Sequence, residues 1–91
     1  MENNENVIND IKTQITEICE NVLFMPFCSK TYNNLKAKFE SCLSYNQAKY
    51  NLKQCVLKFE EKKEDMCYYG KINIRFNSFD EFYFIEFKVT Q

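Results

Sequence analysis

One proline and one glycine constrain the fold of these 91 residues more than any other feature. Pro26 ends a helix that reaches it from the N-terminal side, because the residue before a proline disfavours the α conformation. Neither residue type occurs between Thr31 and Asp65, so no strong helix breaker lies in that segment. We expect Gly70 to take a positive φ where the helical region ends. The two residues therefore predict helices before Gly70 and a different structure after it.

The first segment has the pattern of an amphipathic helix. Its apolar residues recur at spacings of three and four and are Ile8, Ile11, Ile15, Ile18, Val22 and Met25. This spacing predicts a helix over about residues 5–25, whose apolar stripe packs in the core of the protein. The alternative is a seam that joins two copies of the chain.

Two further stripes follow at helical spacing. The first is Tyr32, Leu35, Phe39 and Cys42, and the second is Tyr45, Ala48, Leu52, Cys55 and Phe59. They predict helices over about residues 30–44 and 47–66, with a break near residues 44–50. Ser44-x-x-Gln47 has the form of a capping box that would open the later helix. One continuous helix is the alternative.

The C-terminal part of the chain changes to a period of two. Ile72, Ile74 and Phe76 alternate with polar residues, and a second alternating segment follows residues 77–81, which are typical of a turn. We therefore predict an antiparallel hairpin with strands over about residues 69–76 and 82–90. With two or three helices before it, the fold class is α+β, in one small domain over residues 1–91.

The hairpin is rich in aromatic side chains. Eight of the fifteen aromatic residues fall within residues 68–87. If the helices cover the face that carries Ile85 and Phe87, then Phe82 and Phe84 point away from the core. We expect a protein partner or self-association at this exposed face. The predicted contact residues are Phe79, Phe82, Phe84, Tyr68 and Tyr69.

The five cysteines suggest a second possibility. Cys42 and Cys55 nest within Cys28 and Cys67 around a common centre, so helices that fold back there would bring both pairs together for two disulfides. This arrangement resembles the coiled-coil-helix-coiled-coil-helix proteins of the mitochondrial intermembrane space over residues 28–67. The resemblance implies a disulfide-stapled helical hairpin that acts as a structural subunit in an oxidising compartment. The interpretation we favour is that the cysteines are reduced core thiols.

The middle of the chain is basic. Residues 26–63 hold eight lysines and three carboxylates, although the whole chain has a net charge of −1. Lysines alternate there with tyrosines, a pattern that would suit contact with a phosphate backbone. Lys36, Lys38, Lys49 and Lys53 are the candidates for that third function, nucleic-acid binding.

Several classes of function are hard to build from this composition. The chain has no histidine, which removes the usual general base and the commonest metal ligand. A single glycine also rules out the glycine-rich phosphate loops. We therefore expect no enzyme, no cofactor, no metal site and no small-molecule substrate. No stretch is long and apolar enough to span a membrane, and the acidic, polar first residues do not resemble a signal peptide.

The sequence thus favours a non-enzymatic protein-interaction domain. It would be a small inhibitor or adaptor, or a small subunit of a larger assembly, that binds through the aromatic hairpin and the helix faces. Abundant Asn, Lys, Ile and Phe indicate an AT-rich genome, which fits an inhibitor encoded by a phage or other mobile element. We expect an intracellular location, in the cytoplasm of the host or of a virus-infected cell. The cysteine resemblance implies the mitochondrial intermembrane space instead.

Overall fold

The computed structural model describes residues 4–21, 25–77 and 82–90. Within these residues, two helices precede three strands. They are α1 (Asn4–Glu20), α2 (Ser29–Lys49), β1 (Gln54–Lys62), β2 (Cys67–Arg75) and β3 (Phe82–Val89). The strands form an antiparallel sheet in the order β1-β2-β3. The predicted α+β class is therefore confirmed, with one more strand than expected.

Both helices pack on one face of the sheet. Helix α2 contacts β1, α1 contacts β3, and the two helices contact each other. The residues buried between the layers are Val7, Ile8, Ile11, Ile15, Leu35, Phe39, Leu43, Leu52, Cys55, Phe59, Tyr68, Ile72, Ile74, Phe76, Ile85 and Val89. Aromatic rings fill the centre, where Phe39 meets Phe59 and Phe87 at centroid distances of 5.3 and 4.9 Å.

Helix α1 confirms the apolar stripe but is shorter than predicted. Ile11 and Ile15 are buried, and Ile18 packs at the edge of the core. The helix ends at Glu20 and not near residue 25. Asn21 accounts for the early end, because its backbone N–H donates to the Ile18 carbonyl and its side-chain amide to the Glu17 carbonyl. These bonds satisfy carbonyl groups that have no partner further along a helix. Val22 of the predicted stripe lies outside the described residues.

Helix α2 extends past the end that we predicted at residue 44, and the break falls at the last part of the predicted range 44–50. It ends at Lys49, and Asn51 takes the left-handed conformation with φ of 53°. The Leu52 N–H donates to the Gln47 carbonyl at 2.9 Å, and the Asn51 N–H to the Ala48 carbonyl at 3.3 Å. This pair of bonds is a Schellman motif, in which asparagine replaces the usual glycine.

The helix predicted over residues 47–66 is wrong, because residues 54–62 form strand β1. Cys55 and Phe59 are buried and Leu57 between them is half-buried, which is the alternation of a strand. Cys55 and Phe59 are four residues apart, and this spacing fits both a helix and every second position of a strand. The tight turn after β1 was also missed, since Met66 takes φ of 51° without a glycine.

Gly70 does not have the positive φ that we expected. It lies within β2, opposite Phe59 on one side and Phe87 on the other. A Cβ atom at this position would be 2.0 Å from Cζ of Phe87. The glycine therefore makes room for a ring that crosses the strand.

Candidate interaction surface

One face of the sheet is not covered by either of the two described helices. Successive side chains of a strand point to opposite sides, so alternate residues of each strand lie on this face. We call it the outer face, and its residues are Gln54, Val56, Lys58, Glu60, Lys62, Tyr69, Lys71, Asn73, Arg75, Phe82, Phe84, Glu86 and Lys88. The strand register places these residues in rows across the sheet.

Apolar side chains occupy one end of the outer face. Val56, Phe82 and Phe84 are 50%, 46% and 55% exposed, which is high for residues of this type. Val56 and Phe84 flank Asn73 in one row, and the rings of Phe82 and Phe84 stack with their centroids 6.5 Å apart. We call these three exposed side chains the apolar strip, in which Phe82 and Phe84 are in contact and Val56 lies across Asn73 from Phe84.

Cations lie against the aromatic rings of the outer face. The Lys71 ammonium is 4.7 Å from the centroid of Phe84, and the Arg75 guanidinium is 4.7 Å from that of Phe82. At the other end, Lys62 and Lys88 approach Tyr69 at 5.9 and 5.5 Å. Such contacts hold the cations close to the face by attraction to the ring electrons.

The charges of the outer face are unbalanced. Five of its residues are cations and two, Glu60 and Glu86, are carboxylates. Lys62 and Glu60 form an exposed ion pair at 3.6 Å. Lys58 and Lys71 are direct cross-strand partners on the same face. Like charges in such a position destabilise a sheet. Among the described residues, neither of these two lysines makes an ion pair.

A shallow depression of about 340 Å³ lies beside this lysine pair. It is lined by Lys58, Glu60, Lys62, Tyr69, Gly70, Lys71 and Glu86. The depression is open to solvent and adjoins the apolar strip, since the row of Lys58 and Lys71 is next to that of Val56 and Phe84. An anionic group could approach two ammonium groups there.

The predicted aromatic contact residues have different positions. Phe82, Phe84 and Tyr69 are on the outer face, and Phe79 lies outside the described residues. Tyr68 is fully buried, with its ring stacked between Phe27 and Phe59 and its hydroxyl donating to the Cys28 carbonyl at 3.4 Å. Burial raises the pKa of Tyr68. It is therefore a core residue and not a surface contact, contrary to our expectation.

Some residues of the outer face were missed at the level of sequence. Val56 and Lys58 belong to β1. Because we predicted a helix for this segment, we did not predict that these two residues lie beside β2 in the sheet. Lys71 and Arg75 alternate with apolar residues of β2, and this alternation does predict an exposed position. Only their proximity to Phe82 and Phe84 required the register of the sheet.

The four lysines predicted to contact phosphate do not form one stripe. Lys36 and Lys38 are exposed on α2 but point about 200° apart around the helix. Lys49 pairs with Asp10 at 3.8 Å and lies over the Tyr50 ring at 5.0 Å. Lys53 precedes β1, where its backbone N–H donates to the Arg75 carbonyl.

The stapled helical hairpin is not formed. All five cysteines are free thiols in the structure, and Cys55 and Cys67 lie in strands. Disulfides cannot join two helices here, because the helix predicted over residues 47–66 is absent and strand β1 takes its place. Burial raises the pKa of Cys19 and of Cys55 to about 11 and also raises that of Cys42.

No group of three or more carboxylate, cysteine or histidine side chains in residues 4–21, 25–77 and 82–90 is placed to hold a metal ion. Within the same ranges, neither helix has the length and apolar character needed to cross a membrane.

Comparison of this chain with protein-family models, with curated proteins and with solved structures finds no match.

Proposed function

We propose that this chain is a non-enzymatic protein-interaction domain that binds its partner through the outer face of the sheet. It would act as a small inhibitor or adaptor, or as a subunit of a larger assembly. The observation that carries the proposal is the exposed strip formed by Val56, Phe82 and Phe84. Contiguous apolar surface that is surrounded by polar groups is typical of a protein-binding site.

The position of the strip in the fold supports this proposal. The core already buries Ile85 and Val89 of the same strand, so Phe82 and Phe84 are not needed to hold β3 on the helices. Pairing between the strands already orders the backbone of the outer face. Binding a partner would therefore cost this surface little further conformational entropy. Aromatic side chains that become buried at the centre of an interface often contribute about 2 kcal/mol or more each.

The experiment selects peptide ligands and then asks which face they contact. A phage-displayed library of random linear peptides is panned on the purified chain, and enriched peptides are synthesised for biolayer interferometry. We expect the pair Phe82→Ser and Phe84→Ser to weaken their binding by at least about tenfold. The matched control is Tyr45→Ser, which removes an aromatic ring that is 61% exposed on α2.

Thermal unfolding of each variant shows whether the fold is kept. Both serine variants should unfold near the temperature of the parent chain, because their side chains lie outside the core. If no peptide is enriched, or if the enriched peptides bind the double variant as tightly as the parent, the outer face is not the binding surface. Loss of binding in Tyr45→Ser alone would move the site to α2.

A further inference from the structure

The lysine pair on the outer face is a feature that folding alone does not explain. Lys58 and Lys71 face each other across β1 and β2, and neither makes an ion pair with a described residue. Directly opposed like charges cost a sheet stability. Lys71 has the Phe84 ring and its β3 partner Glu86 beside it, but Lys58 makes no ion pair or cation–π contact with a described residue. Residues that break a local rule of folding without a compensating contact, as Lys58 does, are typical of functional sites.

The surroundings of the pair limit what can bind there. Both lysines line the shallow depression, and Tyr69 lines it with them. The next row of the outer face carries Val56 and Phe84. Side chains two residues apart on a strand are separated by about 7 Å. In an extended chain bound along the strands, a side chain that reaches the lysine row is therefore followed, two residues later, by one that reaches the apolar row.

We propose that the partner of the outer face is an acidic polypeptide segment. A carboxylate of the segment lies between Lys58 and Lys71, and an apolar side chain two residues away contacts Phe84 and Val56. This inference rests on the proposed function and adds the chemistry of the partner. Charge complementarity is its basis, because the face carries three more cations than carboxylates in a chain whose net charge is −1.

A peptide fits this surface better than a nucleic acid. Glu60 and Glu86 line the same depression as the lysines, and Glu86 is the cross-strand partner of Lys71. A regularly spaced phosphate backbone would meet these carboxylates as well as the cations. A peptide can place one carboxylate at the lysine pair and neutral side chains beside the two glutamates.

The test uses a fluorescein-labelled peptide that repeats the sequence Glu-Ser-Phe-Ser. Glu and Phe then lie on the same side of the extended peptide, two residues apart. Its affinity is measured by fluorescence anisotropy at low and at high salt. Two further peptides replace every Glu by Gln or by Lys. We expect binding to follow the order Glu, Gln, Lys, with about tenfold between the first two, and to weaken with salt for the Glu peptide.

Matched charge variants locate the effect. The pair Lys58→Gln and Lys71→Gln should weaken the Glu peptide by about tenfold, whereas Lys36→Gln and Lys38→Gln, which remove the same charge from α2, should not. Lys58→Gln alone should also raise the unfolding temperature by about 1–4 °C, because it relieves the repulsion. A variant that is more stable but binds less well has kept its fold.

The outcomes separate this inference from the proposed function. If Phe84→Ser abolishes binding but the Lys58 and Lys71 variants bind all three peptides equally, the partner is a protein but not an acidic one. If neither set of variants affects any peptide, the proposed function itself is wrong. Should a fluorescein-labelled oligothymidine bind more tightly than the Glu peptide, and lose affinity in the Lys58 and Lys71 variants, the ligand is a nucleic acid.

Discussion

The Cys28 thiol loses its proton more readily than the thiols of Cys19 and Cys55. Cys28 precedes the first residue of α2, is exposed, and lies with its sulfur 3.5 Å from the Thr31 hydroxyl. Hydrogen bonds from the Thr31 hydroxyl and backbone N–H, with a smaller effect of Lys30, lower the pKa of Cys28. Buried Cys19 and Cys55 have their pKa raised to about 11 by loss of solvation. Only the thiolate is a strong nucleophile.

Cys28 should therefore react first with iodoacetamide in the native protein. At a pH below the usual thiol pKa, a lowered pKa leaves a larger fraction of Cys28 as thiolate, whereas Cys19 and Cys55 stay protonated. Mass spectrometry of peptides taken at successive times gives the rate at each cysteine. Thr31→Val should shift the pH profile of the Cys28 rate to higher pH, because it removes the hydroxyl and keeps the shape. A rate at Cys28 no faster than at Cys19 would contradict the assignment.

At the scale of elements, the end of α2 depends on one asparagine. Asn51 holds the left-handed conformation that allows the two bonds of the Schellman motif. The following residue, Leu52, is then buried and leads into β1. Asparagine tolerates this conformation better than other residues with a Cβ atom, and glycine tolerates it best.

Replacement of Asn51 should reveal that backbone requirement. We expect Asn51→Ala to lower the free energy of unfolding by about 1 kcal/mol, because alanine is strained at positive φ. Asn51→Gly should be at least as stable as the parent. Urea denaturation followed by circular dichroism measures both variants. Equal stability of the alanine and glycine variants would show that the conformation at residue 51 does not limit the fold.

The same segment shows what the sequence could and could not predict. The stripe of α1 and the alternation in β2 and β3 extend over several periods, so their structures were predicted correctly. Residues 52–59 carry five apolar residues, Leu52, Cys55, Val56, Leu57 and Phe59, and their spacing fits a helix as well as a strand. Pairing with β2, the next strand along the chain, decides in favour of a strand. The apolar strip was predicted in part, because Phe82 and Phe84 follow from the period of β3 whereas Val56 depends on that pairing.

At the scale of the whole molecule, polar contacts join α1 to α2 beside its apolar stripe. Helix α1 packs on α2 and on β3, and a pair of amides joins the two helices. The Asn46 side chain is fully buried and donates to Gln14 at 2.8 Å, while Gln14 donates back at 3.3 Å. This pairing satisfies polar groups that would be costly to bury alone. Asp10 of α1 also accepts a hydrogen bond from the Tyr50 hydroxyl, and the apolar stripe packs in the core through side chains such as Ile15.

Replacing a large side chain of the α1 apolar stripe by a smaller one should destabilise the entire domain. Ile15 is 3% exposed, and we expect Ile15→Ala to lower the free energy of unfolding by about 2–4 kcal/mol, through lost burial and the cavity that remains. Thr16→Ala, on the exposed side of the same helix, is the control and should change it by less than about 0.5 kcal/mol. Urea denaturation of both variants is the measurement. A loss under about 0.5 kcal/mol for Ile15→Ala would mean that α1 does not belong to the core.

Strand β3 has apolar residues on both faces, so the contrast between an apolar and a polar face specifies its register less sharply than in an ordinary half-buried strand. A shift by one residue would turn Glu86 and Lys88 toward the helices, and burying a charged side chain there would be costly. A shift by two residues keeps each side chain on its own face and escapes that penalty. It would, however, move the Phe87 ring from Gly70 to Tyr68 or Ile72, which have a Cβ atom in the space that the ring needs. The single glycine of the chain thus fixes the register of β3 on β2, and this register keeps Phe84 in the row of Val56.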